Sequence, residues 1–186
     1  NSAYPFGDND GALWVGRGLT AALRGGGVIR YGSLHLRLAP EVFWSQNQGF
    51  ELADNGLSGP GAFWDERAPN HIDKPQRFGD EDYARLGLGS SSLDIGLPGV
   101  TLGISGDGQI WGPALQYPLL LGNNAGGFPH LFGQTTHPLN LWVMRLHGRY
   151  IYGWQKQSEF SSGLAELGRR FVTGAVVTLL PRGLDG

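Results

Sequence analysis

The chain has 186 residues, 32 of them Gly and 11 Pro, with only 16% charged, which suits one ordinary domain. A formal net charge of −2 without any Lys/Arg cluster argues against a nucleic-acid footprint, which needs a basic face or stripe. The absence of Cys excludes a disulfide framework and a thiolate metal site, and no run of about 18 apolar residues marks a membrane helix.

Gly at more than twice its usual share of about 7%, with no collagen-like period, points to a protein of strands and turns. The chain starts at Asn1 without Met and stops at "LPRGLDG", as a processed or truncated piece would, and it carries no signal peptide. Neither missing signal bears on a membrane β-barrel, whose signature is alternation.

In chain order, residues 13–24 alternate, with Leu13, Val15, Leu19, Ala21 and Leu23 on one side. "RGGG" at 24–27 reads as a reverse turn. The clearest pattern is "SLHLRLAPEVFW" (33–44). It puts Leu34, Leu36, Leu38, Val42 and Trp44 on one face, and Ser33, His35, Arg37 and Glu41 on the other. A long connection follows over 45–82. "ARLGL" (84–88) and "VTLGIS" (100–105) repeat the alternation, with "LPG" (97–99) as a turn. A second long connection covers 106–138. Both exceed the 12–15 residues beyond which a loop is expected to be functional and to have compact structure of its own.

Residues 139–154 alternate again: Trp142, Met144, Leu146, Tyr150, Tyr152 and Trp154 share one face, and Arg145, His147 and Arg149 the other. "FVTGAVVTLL" (171–180) is apolar on both faces, so its orientation stays open, and "PRG" (181–183) reads as a turn.

Such alternation fits a soluble sandwich and a membrane barrel alike. The span from Trp142 to Tyr152 favours the barrel. Ten residues at about 3.3 Å give roughly 33 Å, and a tilt of about 40° projects this to about 25 Å, the height of an apolar band between aromatic girdles. The opposite face carries Arg, His, Ser and Gly, as a hydrogen-bonded lumen would, where bulk water would favour Lys and Glu. His35, His147, Arg37, Arg145 and Arg149 are expected to form a network there with Glu41 and other acids.

Several stretches carry a resemblance: "NSAYPFGDNDGALWVGRG" (1–18), the "QN" pair at 46–47, "HIDKPQRFG" (71–79) and "GISGDGQIWGPALQYPLLLGNNAGGFPHL" (103–131). Their most specific elements are an Ile-Asp-x-Pro-x-Arg core and a Trp-Gly-Pro followed about ten residues later by Asn-Asn-Ala-Gly. Together they span most of the chain and resemble the capsule assembly protein Wzi family of bacterial outer-membrane proteins. The resemblance implies an all-β fold, an antiparallel transmembrane β-barrel with long extracellular loops over the lumen. It implies a non-enzymatic, lectin-like role in capsule or exopolysaccharide assembly or surface attachment at the bacterial cell outer membrane. Residues 1–186 then form part of a single outer-membrane β-barrel domain, an N-terminal part, since such a barrel needs about twice these strands. The partners implied are surface polysaccharide and outer-membrane lipid, with a monomeric barrel when the protein is full-length.

A polysaccharide presents hydroxyl pairs and apolar C–H faces, so its site needs amides or Arg forks together with an aromatic plate. Trp64, Trp111 and Phe128 are candidate plates, and Gln46, Asn47, Arg77, Asn123, Asn124 and His130 candidate hydrogen-bond partners. The set put forward for carbohydrate binding is Trp64, Arg77, Trp111, Asn123, Asn124 and His130. Each has a structural alternative. Trp111 before Gly-Pro can anchor a turn, Asn123 and Asn124 can be turn residues tolerating positive φ, and Asp73 with Arg77 can be an internal ion pair. Leu119, Leu120, Leu121 and Phe132 would give the 106–138 loop a small core of its own.

The alternatives in other classes are a soluble secreted carbohydrate-binding β-sandwich or barrel and, further off, a glycoside hydrolase. Asp65, Glu66 and Asp73 could supply the two carboxylates of a hydrolase only if held roughly 5–9.5 Å apart. "GDNDG" (7–11) and "GDED" (79–82) lack the spaced acids of an EF-hand loop, and His130 and His137 have no metal-site spacing. The expectation is therefore no catalytic residue, no metal and no cofactor.

Overall fold

The computed structural model describes residues 5, 10–65, 75–112, 118, 120–160 and 169–182. Among them the only helical element is a 3-10 turn at Gly59–Phe63, and the rest of the regular structure is antiparallel β. The strands are β1 (Thr20–Arg24), β2 (Gly27–Tyr31), β3 (Leu34–Leu38), β4 (Glu41–Ser45), β5 (Tyr83–Gly87), β6 (Ser92–Leu97), β7 (Val100–Ser105), β8 (His130–Thr135), β9 (Leu139–Asn140), β10 (Met144–Lys156) and β11 (Arg169–Pro181).

Two sheets are present, β1-β4-β5 and β11-β10-β8-β7-β6-β3-β2, with β9 paired to β10, and neither closes into a barrel. They are continuous in register. Thr20 pairs with Ser45, Arg24 with Glu41, Gly27 with Leu38 and Tyr31 with Leu34, a single antiparallel ladder interrupted at Gly25-Gly26 and Ala39-Pro40. The "RGGG" segment is thus not a reverse turn. Its triglycine lets a paired strand bend, and the reversal comes later, at Gly32-Ser33. A Cβ on Gly26 would lie 1.8 Å from the Leu38 carbonyl oxygen, so only Gly allows that approach.

The neighbouring strand bends at the same level. Val42 pairs with Leu86 and Leu36 with Leu93, so six residues on one side oppose seven on the other, and the extra residue is a β-bulge. Gly89 sits in it at φ +52°. The Ala39 carbonyl accepts the Ser90 N–H at 3.1 Å, and the Ala39 N–H donates to Ser91 Oγ at 2.9 Å, so the bend leaves no backbone group of Ala39 unpaired.

Register settles the two faces. Ile29, Leu36, Leu93, Ile104, Leu131, Tyr152 and Thr173 form one row across the sheet. The adjacent row on the opposite face is Arg30, His35, Asp94, Gly103, Phe132, Ile151 and Gly174. The first face is apolar and open: Ile29 is 63% exposed and Leu131 51%. The second holds the buried side chains, with Phe132 at 9% and Ile151 at 0%. The same pairing orients 171–180, placing Phe171, Ala175, Val177 and Leu179 on the apolar face.

Four further expectations change. Residues 13–19 are not a strand. The second long connection ends at Pro129, because His130–Thr135 is a strand whose alternation Gly133 conceals. Trp142 lies in the turn between β9 and β10, 91% exposed, so the aromatic span counted from it is not a strand length. Phe132, expected in the loop's private core, is a strand residue; the core is Phe128, Phe132 and Ile151, with Trp111, Leu121 and Val172 packed on it, while Leu120 is exposed and Leu119 lies outside the described residues.

Candidate functional site

Two-residue turns at Gly32-Ser33 and Pro98-Gly99 and the β9 turn mark one end of the sheet, whereas the connections at 46–82, 106–129 and 157–168 leave from the other. At that loop end Asn47 is the hub. It is fully buried at φ +47°, and its Nδ2 points at the carbonyls of Phe78, Gly79 and Glu81 at 3.0, 3.2 and 2.9 Å. Its Oδ1 accepts Trp14 Nε1–H at 3.1 Å, and its carbonyl accepts from Arg77 Nε and Nη2 at 3.0 and 2.8 Å. One side chain therefore ties the N-terminal segment to both ends of the 46–82 loop. Phe78 stacks on Tyr83 at 4.2 Å and meets Trp14 and Phe160 edge-on, extending the tie to the segment after β10.

The 106–129 loop is held by a different device. Trp111 lies where a side chain on Gly174 of β11 would stand: a Cβ there would be 2.6 Å from the indole. Phe128 similarly covers Gly153, and Phe132 covers Gly103. Missing side chains on the strands are filled by aromatic rings, two of them from the loop. His130 is fully buried beneath; its Nδ1–H donates to the Phe128 carbonyl at 2.8 Å, leaving Nε2 to accept from the Gln109 amide at 3.3 Å.

A cavity of about 700 Å³ opens on the polar face at the bend. Arg24, Arg37, Glu41, Phe43 and Arg85 line its strand side, and Gly11, Ala12, Gly106, Gly108, Asn123, Gly126 and Gly127 its loop side. Main chain thus forms much of the loop-side wall, where Gly11 N–H donates to the Asn123 carbonyl at 2.8 Å. Arg24 and Glu41, directly opposed on β1 and β4, form an ion pair.

Of the six residues put forward from sequence, Asn123 lines this cavity. Arg77 is buried within the protein, its guanidinium spent on the Asn47 carbonyl and on Asp80 at 3.0 Å; Asp73, its expected partner, lies outside the described residues, as does Glu66. Trp111 and His130 belong to the loop's packing, Trp64 ends the 3-10 turn, and Asn124 lies beside Gly122, away from the cavity wall. The positive-φ expectation for Asn123 and Asn124 fails: the non-Gly residues in that region are Asn47 and Leu121.

The expected network on the polar face is partly present. His35 Nδ1 lies 3.2 Å from Asp94, His147 Nδ1 lies 2.6 Å from Thr135 Oγ1, and Arg149 donates to Gln134 at 2.7 Å while lying over Phe132. Sequence reasoning passed over Arg24 and Arg85. The signal was the alternation itself, which sets both on the polar face of their strands. Comparison with family models, curated proteins and solved structures gave no match to this chain.

Proposed function

We propose that this chain is part of an outer-membrane β-barrel, lectin-like and non-enzymatic, that holds surface polysaccharide during capsule or exopolysaccharide assembly or attachment. The observation that carries the reading is the apolar face. Row after row across the sheet it presents Leu, Ile, Val and Tyr outward, Val100 at 39% and Leu86 at 76% exposed among them, while the opposite face carries Arg, His, Asp and Ser. A face of that extent has no counterpart on a water-soluble monomer, whose apolar patches run to a few hundred Å²; hydrocarbon is the solvent that suits it. Loops packed at one end only, and the motifs of 71–79 and 103–131, support the same reading.

The full-length protein is expected to fractionate with outer membranes and to migrate faster in detergent gels unheated than boiled. Recovery as a soluble monomer would overturn the membrane part. For the lectin part, Asn123→Ala is expected to weaken retention of surface glycan with unchanged gel migration; equal retention would make Asn123 purely structural.

A further inference from the structure

Charge is sorted within this chain. Of its 16 Asp and Glu, Glu41 and Asp94 are the only ones in the described strands, whereas Arg recurs on the polar face in β1, β2, β3, β5, β10 and β11. Both strand acids are engaged, Glu41 by Arg24 and Asp94 by His35. Around the cavity this leaves Arg37 and Arg85 with no hydrogen bond or ion pair among the described residues. Two guanidinium groups facing one cavity, with no counter-charge of their own among the described residues, favour an anion, which they would bind by forked, charge-assisted hydrogen bonds.

The spacing narrows the class. Arg85 sits opposite Phe43, six residues along the ladder from Arg37, or roughly 20 Å at about 3.3 Å per residue. Contacts set that far apart along the strands suit a chain with repeated negative groups better than one small anion. The cavity, at about 700 Å³, lies within the range of about 300–1,000 Å³ of ligand sites. Among the described residues its one aromatic wall residue, Phe43, is 2% exposed, so recognition there rests on charge and hydrogen bonds and not on ring stacking.

We infer that this cavity binds a linear glycan carrying repeated anionic groups, with Arg37 and Arg85 holding successive charges and Asn123 meeting hydroxyls between them. The inference rests on the glycan-binding reading above and specifies its ligand class.

The test uses full-length protein in detergent micelles and titrates three probes: hexagalacturonate, a lipid-free phosphorylated lipopolysaccharide core oligosaccharide, and neutral maltohexaose. At least one acidic probe is expected to bind ten times or more tightly than maltohexaose and to weaken with added salt, and which one distinguishes carboxylate from phosphate as the source. Arg37→Gln and Arg85→Gln should each lower that affinity about tenfold, with Arg85→Lys keeping more of it than Arg85→Gln. Equal binding of acidic and neutral probes overturns the anionic inference and leaves the glycan reading standing. Binding of no probe overturns both. Unchanged affinity in the folded Gln variants also overturns the site; should those variants fail to fold, the acidic-to-neutral ratio and salt response of the unmodified protein decide.

Discussion

The two faces of this sheet follow opposite rules. On one, Ile29, Leu93, Ile104 and Leu131 stand open in a row, with Leu36 half-buried among them. One residue along each strand, His35, Asp94, Phe132 and Ile151 are turned toward loops and neighbours. In a protein packed against water the apolar row would be the buried one. Strand alternation thus records two environments without saying which is wet, and the position of the long loops and the location of His, Arg and Asp must be added to decide.

That comparison can be broken in stages. The largest effect is expected on the covered face: Ile151→Ala removes a fully buried side chain that packs with Phe128 and Phe132, and should cost about 3–4 kcal/mol in unfolding from lipid vesicles. A loss below about 1 kcal/mol would mean that the loop-end core does not support the sheet. Next comes Leu102→Arg on the open face, predicted to cost about 2–4 kcal/mol if that face meets hydrocarbon. In a water-facing sheet the same change would be close to neutral, so urea titration of this one variant separates the two solvents.

Asn47→Ala strips the loop tie and leaves buried carbonyls and the Trp14 indole N–H short of partners. It should cost about 2 kcal/mol and expose the 46–82 loop to protease, while the strand content seen by circular dichroism persists. The smallest effect belongs to Thr101→Arg, one position from Leu102 on the opposite face. A shift of about 0.5 kcal/mol or less is expected there, because among the described residues its hydroxyl is hydrogen-bonded to Thr136 alone, at 3.3 Å. Equal penalties at 101 and 102 would erase the distinction between the faces.

Much of this was legible in the sequence. Period-2 alternation assigns the sides of 33–44 and, from Met144 on, of 139–154 correctly, because a side chain's face follows from local backbone pleating. What was not legible is what depends on partners. "RGGG" has turn chemistry, yet pairing of Arg24 with Glu41 and Gly27 with Leu38 holds it in a ladder. His130–Thr135 reads as loop from sequence because Gly133 interrupts its pattern, although β7 and β10 flank it on both sides. Among site residues, Arg77 and His130 have the chemistry of ligand contacts, but other parts of the chain already occupy them. Arg85 drew no notice because nothing local sets it beside Arg24, Glu41 and Arg37; the ladder does.

The extra residue in the bulge near Gly89 has a consequence for how this pocket can vary. Leu86 and Leu93 are separated by an odd count and still point the same way. Deleting one residue between them would restore plain alternation without turning either leucine inward. The bend, and with it the shape of the cavity on the polar face, can therefore change by loss of that one residue while the apolar face keeps its leucines, so the two faces can vary independently along one strand.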